Sequence, residues 1–333
     1  MPTLSQPLDL TLGGDLTVNR LGFGAMRLTG EPARLERTTG IALARQAVDL
    51  GVTFIDTADS YDFGANEELL ADALHPYPPG LVIATKGGHI NLGREWIPLG
   101  RPEYLRQQAE LSLRRLRLDR IDLYQLHRVD PSVPLADQVG ALRQLRDEGK
   151  VRHVGLSEVT VEQVVEAERI VPIASVQNRY NLVDRASEDV LEHCERRGIA
   201  FIPWFPIAPF NRGHAEAVLP VARRLQATPA QIGLAWLLHR SPVILSIPGT
   251  SSMAHLAENM AAAQLRLSEA DLASLEADRS IWDRPTSGGI AAIHDSASMR
   301  RPSPSVCSSP HPPGGSVTFG HHGAQPYLVR RGR

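Results

Sequence analysis

Cysteine is nearly absent from this 333-residue chain, with Cys194 and Cys307 standing alone. Two thiols so far apart exclude a disulfide framework and a thiolate zinc site. Long apolar runs are lacking as well: none reaches the roughly 18 residues of a membrane-spanning helix. Neither sign of charge dominates, with 35 basic against 37 acidic residues, which points away from nucleic acid and anionic membranes as partners. The opening residues, "MPTLSQPLDLTLGGD", have neither the basic start nor the apolar stretch of a signal peptide. A soluble protein of the reducing cytoplasm is expected.

Hydrophobic residues make up 42% of the chain, enough for one large core or two modest ones. A change of composition falls near residue 283. Residues 284–333 are rich in Pro, Gly, Ser and His, without periodicity, and carry six arginines against one aspartate. Such a segment buries too little apolar surface to offset its ordering entropy, so a disordered tail over 284–333 is expected behind a folded region 1–283. Cys307, His311, His321 and His322 within it fit no metal-ligand spacing, and no metal is expected.

The folded region alternates. Two short runs around Gly13-Gly14-Asp15 read as a β-hairpin. Eight strand-like runs follow, at Leu21–Ala25, Val52–Ile55, Leu81–Thr85, Ile121–Leu126, His153–Leu156, Ile173–Val176, Ala200–Pro203 and Ile244–Ile247. Amphipathic segments separate them. In "PEYLRQQAELSLRRLRLD", Leu105, Leu111, Leu113 and Leu116 gather largely on one side. Other segments stop at Gly149 and Gly198, as helices commonly do. Eight strands alternating with about eight helices satisfy a (β/α)8 TIM barrel, typically about 250 residues, better than a doubly wound sheet. "GFGAMR" (Gly22–Arg27) begins like a dinucleotide fingerprint, but it lacks the third glycine in place and opens no helix.

Polar residues stand where the apolar runs end. Asp56 follows "TFI", Lys86 follows "LVIAT", His127 follows "IDLYQL", Ser157 follows "VGL", Gln177 follows "ASV", and Trp204 follows "AFIP". In a barrel these positions share the C-terminal rim, where active sites are built. Singly, each has an ordinary explanation: Asp56 as a helix cap, Lys86 as a surface charge, His127 as a structural histidine, Tyr61 as a packing residue. Together they form a proton-donating set. A lysine ammonium favours the phenolate and lowers a phenol's pKa, a carboxylate fixes the lysine, and an imidazole aims a substrate oxygen. Carbonyl reduction suits such a set, and since no side chain donates hydride, a nicotinamide cofactor must supply it. After the last run, Pro248-Gly249 lead into Thr250, Ser251 and Ser252 and then a helix, an arrangement suited to phosphate.

These motifs, from "GVTFIDTADSYDFGANEELLADAL" through "LVIATKGG", "LDRIDLYQLHRVD", "SVQNRYNLVDR" and "IPGTSSMAHLAENMAA", resemble the aldo-keto reductase superfamily in content and order over about residues 8–280. The resemblance implies an NADPH-dependent reductase of small carbonyl substrates, NADH not being excluded, on a barrel closed below by a hairpin. It implies Tyr61 as general acid, Lys86 and Asp56 as its activating pair, and His127 orienting the carbonyl. Ser157 and Gln177 would bind the nicotinamide carboxamide, and Trp204 would stack on the ring. Thr250, Ser251, His255, Glu258 and Asn259 would hold the adenosine end. Three positions depart from the pattern: Glu158 stands for a common asparagine, Phe205 for a serine, and His255 for the arginine that grips the 2′-phosphate. The subgroup most resembled is pyridoxal reductase-like or pyridoxine 4-dehydrogenase-like, and a monomer or weak homo-oligomer is expected. The resemblance admits a second class, a cofactor-sensing subunit with little turnover, like the related potassium-channel β-subunits.

Overall fold

The computed structural model describes residues 8–30, 35–92, 95–207 and 212–276, with residues 212–216 as backbone only. The boundary expected near 283 and the segment 284–333 lie outside them. The expected hairpin is present: β1 (Asp9–Leu12) pairs antiparallel with β2 (Leu16–Asn19), Leu12 facing Leu16. Gly13 and Gly14 take left-handed φ of 62° and 87°, as a tight hairpin turn requires. Asp15 pins the turn to the barrel, accepting from Arg152 Nη2 at 2.8 Å and lying 2.5 Å from His153 Nε2.

Seven parallel strands form the curled sheet. Along the chain they are β3 (Phe23–Gly24), β4 (Phe54–Asp56), β5 (Val82–Gly87), β8 (Ile121–Leu126), β9 (Val151–Ser157), β10 (Ile173–Gln177) and β11 (Ala200–Phe201), each hydrogen-bonded to the next. The eighth position is held by residues 244–246, which make parallel bridges from Ile244 to Phe201 and from Ser246 to Leu21. Leu245 N donates to Phe201 O at 2.9 Å and Ser246 N to Arg20 O at 2.8 Å, so the ring closes. A regular strand over Ile244–Ile247 was expected; only bridges form. Pro242 and Pro248 bracket the segment and remove two N–H donors. Pro203 likewise ends β11 before the expected Ala200–Pro203 run is complete.

The helices are α1 (Arg37–Asp49), α2 (Ala65–Leu74), α3 (Pro102–Leu116), α4 (Leu135–Asp147), α5 (Val161–Glu168), α6 (Glu188–Arg197), α7 (Arg212–Leu225), α8 (Pro229–Arg240), α9 (Met253–Ala261) and α10 (Glu269–Glu276). Their ends obey local chemistry. Thr160 and Gln163 close a capping box on α5, as Thr228 and Gln231 do on α8. Gly198 ends α6 at φ 66°, a conformation that glycine alone adopts without a steric cost. On α3, Leu105, Leu113 and Leu116 are buried, whereas Leu111, expected on the same face, is half-buried. "GFGAMR" holds a 3-10 turn, Ala25–Leu28, and no α-helix.

Side-chain alternation sorts the core into layers. Phe54, Val82, Ala84, Leu123, Ala174, Ala200 and Leu245 face inward and pack with Leu12, Leu16 and Val18, so the hairpin plugs the barrel. Ile55 and Ile83 face outward beneath α1 and α2, and Tyr124, Val154, Val176 and Phe201 face the remaining helices. The segment "GGHINLGREWIPLGRPE" contains an antiparallel hairpin, β6 (His89–Leu92) with β7 (Glu95–Pro98).

Candidate active site

The same alternation that buries Phe54 and Val82 sends Asp56 and Lys86 inward at the other end of their strands. Both belong to the strands rather than following them, held by the pairings Asp56↔Ala84 and Lys86↔Gln125. They are 2% and 0% exposed, and Lys86 Nζ lies 2.5 Å from Asp56 Oδ1. Lys86 Nζ also donates to Thr57 O at 2.8 Å and to the Tyr61 hydroxyl at 3.2 Å. Tyr61 opens a 3-10 turn, Tyr61–Gly64, after β4 and is half-buried, so its ring is the reachable member of the three.

The turn that presents Tyr61 is anchored from below. Thr57 Oγ1 donates to Asn66 Oδ1 at 2.7 Å, and Asn66 Nδ2 donates to Ala25 O and Thr29 Oγ1, both at 2.9 Å. His127, just past β8, is 6% exposed; its Nδ1 lies 3.3 Å from Ser60 Oγ, and its ring meets Tyr61 edge-on at 5.8 Å. The four residues expected to act together are therefore adjacent.

Electrostatics assign their protonation. Burial raises the Tyr61 pKa; Lys86 opposes the rise without reversing it, and Asp56 adds to it. The expected net lowering of the phenol is thus corrected: desolvation outweighs the ammonium, and Tyr61 stays a neutral phenol that has a proton to give. Burial pulls Lys86 down, yet Asp56 and Tyr61 more than offset it, leaving the ammonium charged. Burial, then the charges of Lys86 and Arg128, push His127 well below the usual imidazole range, so it is a neutral hydrogen-bonding group.

Around this cluster, Gln177 Nε2 donates to Asp56 Oδ2 at 2.9 Å, and Gln125 Nε2 donates to the same oxygen at 3.2 Å. Ser157 Oγ accepts from Arg128 at 3.0 Å. The half-buried Trp204 donates its indole N–H to Glu158 Oε1 at 2.5 Å, and the same oxygen accepts from Arg179 N at 2.8 Å. Glu158 holds a left-handed φ of 55°, a conformation asparagine reaches more easily than glutamate.

At the end of the eighth segment, Thr250 Oγ1 accepts from Ser252 N at 3.0 Å, and Ser252 caps α9 by accepting from His255 N at 3.4 Å. Ser251 is half-buried, His255 exposed and Asn259 buried. Glu258 is engaged elsewhere: it accepts from the Thr228 hydroxyl at 2.5 Å and joins α9 to the cap of α8.

Sequence reasoning passed over several members. Gln125 was legible from parity, two residues before His127 in "IDLYQLH". Ser60 and Arg128, each beside an expected site residue, carried no signal of their own. His89, on β6, packs 4.8 Å from His127 and 5.1 Å from Trp96, and the β6–β7 hairpin brings the two residues there. Trp96 also reaches the site, its ring 6.5 Å from that of His127, whereas Phe63, close to Tyr61 in sequence, is 72% exposed. Among the described residues, no helix is long and apolar enough to cross a membrane.

Known proteins are similar to this chain in sequence and fold. An uncharacterized oxidoreductase of Schizosaccharomyces pombe is 50% identical over 270 residues, covering 79% of this chain and 87% of that one. The pyridoxine 4-dehydrogenase of Escherichia coli K12 is 42% identical over 274 residues, covering 79% and 96%. The crystal structure of an aldo/keto reductase from Klebsiella pneumoniae in complex with NADP and acetate superposes with a TM-score of 0.70 at 28% identity, covering 84% of this chain and 96% of that one. The model of the aldo/keto reductase family matches residues 20–278, and the chain belongs to that family.

Proposed function

We propose that the protein reduces an aldehyde or ketone to the alcohol, reversibly, with NADPH as the cofactor and Tyr61 as the proton donor. The observation that carries this reading is the half-buried Tyr61 hydroxyl, 3.2 Å from a fully buried ammonium that is itself fixed by a carboxylate. The cluster holds an acid, its charge partner and a neutral imidazole but no hydride donor, so its chemistry is complete only with a hydride carrier. NADPH, when bound, supplies that hydride. The residues suited to hold it are Ser157, Gln177 and Trp204 at the ring, with Thr250, Ser251 and His255 around the N-terminus of α9, whose first-turn N–H groups favour phosphate, and Asn259 further along that helix.

This chain's own part is proton delivery. As negative charge grows on a carbonyl oxygen, Tyr61 donates its proton and Lys86, 3.2 Å away, stabilises the phenolate left behind. Asp56 keeps Lys86 in place, and Gln125 and Gln177 occupy the other oxygen of that carboxylate. His127, held neutral, hydrogen-bonds the carbonyl oxygen and aims it at Tyr61. The aromatic corner of His89 and Trp96 suits a flat heteroaromatic aldehyde, and the relation to a pyridoxine 4-dehydrogenase makes pyridoxal the first such substrate to try.

The test is Tyr61→Phe. Turnover with pyridoxal or an aromatic aldehyde should fall at least about 100-fold, while NADPH binding, followed by fluorescence, stays as in the wild type. Near-normal turnover of the variant would remove Tyr61 as the donor. NADPH and NADH run in parallel decide the cofactor.

A further inference from the structure

Arg128 adjoins the cluster, and the chemistry above does not use it. It is half-buried, directly after His127, and its Nη1 donates to His127 O at 2.8 Å and to Ser157 Oγ at 3.0 Å. Its guanidinium carbon lies 5.9 Å from the Trp204 ring centre. Ser157 and Trp204 are two of the three residues given to the nicotinamide above. A guanidinium is flat, donates hydrogen bonds in its own plane and packs well on an aromatic face. The nicotinamide carboxamide offers the same kinds of contact, an N–H for a hydroxyl and a flat face for an indole.

We infer that Arg128 is a built-in placeholder for the nicotinamide, and that the cofactor's ring takes Ser157 and Trp204 only after this side chain has swung away from them. The inference rests on the functional reading above. Glu158 gives the displaced side chain somewhere to go: its carboxylate already attracts Arg128 and holds the Trp204 indole at 2.5 Å. The placeholder has two consequences. With the ring site filled, polar and aromatic groups are not left bare in a cofactor-free cleft. The cofactor's apparent affinity is also reduced by the fraction of molecules in which the site is open.

The experiment titrates NADPH into the full-length protein and into Arg128→Met and Arg128→Lys, following quenching of tryptophan fluorescence at equilibrium and by stopped flow. If about a tenth of wild-type molecules have the site open, Arg128→Met binds about tenfold more tightly. The gain lies in association: the wild-type rate levels off with NADPH concentration, the variant's rises linearly, and dissociation is similar in both. A residue that merely props the fold would not speed association when removed. Arg128→Lys keeps the charge but loses the flat fork; it should also bind more tightly than wild type, and it carries the test if the methionine variant does not fold. Equal or weaker binding by a folded variant overturns the placeholder and leaves the reductase reading standing. Failure of the wild type to bind either NADPH or NADH overturns both.

Discussion

Asp59 lies two residues from Tyr61 and has no role in the chemistry above, yet it is the most perturbed carboxyl near the site. It is 6% exposed, its side-chain oxygens find no hydrogen bond of good geometry, and burial followed by the charge of Glu67 pushes its pKa up to about 8, against weaker help from Arg115 and Ser60. In the unfolded chain the same carboxyl titrates near 3.8. Between those values the folded state holds a proton that the unfolded state releases. The contribution to stability is therefore full below about pH 4 and is lost as pH rises toward 8. Asn mimics the protonated acid. Asp59→Asn should flatten the fall in stability between pH 5 and 8 and leave the protein at pH 8 more stable than wild type by about 1–3 kcal/mol. Urea unfolding at several pH values measures it, and an unchanged pH slope would mean that Asp59 ionises freely in the folded state.

Closure of the barrel is decided at the level of elements, by a residue that no strand pattern singles out. Arg20 is 1% exposed and donates to Ile244 O at 3.0 Å, Leu238 O at 2.8 Å and Ser241 O. It ties the first strand's approach to the end of α8 and to the eighth segment, where only bridges form. Burial lowers its pKa to about 10, so it remains charged at neutral pH. Nearby, a Cβ on Gly249 would sit 2.8 Å from Gly24 O, and one on Gly24 would sit 2.7 Å from Ile247 O, so the backbones meet only because both residues are glycine. Arg20→Met should cost about 3 kcal/mol, since it strips charged donors from several buried carbonyls. The readout is a lower urea midpoint at unchanged slope; a loss below about 1 kcal/mol would show that the closure holds without it. The strands were legible from apolar runs bounded by turn residues. The clamp was not, because an arginine before "LGFG" looks like any surface charge.

Across the whole molecule, one end of the barrel is plugged and the other is chemical. Leu12, Leu16 and Val18 of the hairpin are 1%, 9% and 1% exposed against the inward residues of the strands. Each such side chain contributes about 1.5–3 kcal/mol by burial, and the three together approach the total stability of an ordinary domain, about 5–15 kcal/mol. Deleting residues 8–19 should leave a chain that aggregates or melts well below the full-length protein, as gel filtration and a thermal scan would report. A stable, monomeric deletion would show the plug to be dispensable. Asp15, on the turn, fastens the plug through Arg152 and His153.

The sequence by itself determined the alternation of strands and helices, the barrel and the polar residues at its rim. Those features are local: a period-two run, a cap or a glycine stop acts within a few residues, and alternation fixes which strand residues face inward. Only the tertiary structure decided what depends on distant partners. Gln125 and Gln177 share Asp56 because their strands curl around one axis, and His89 meets His127 because β6 folds back on β7. Tyr61 keeps its proton because the packing around it, which no spacing of residues encodes, outweighs the lysine beside it. Desolvation is a property of what surrounds a group in space, and it exists only once the chain has closed.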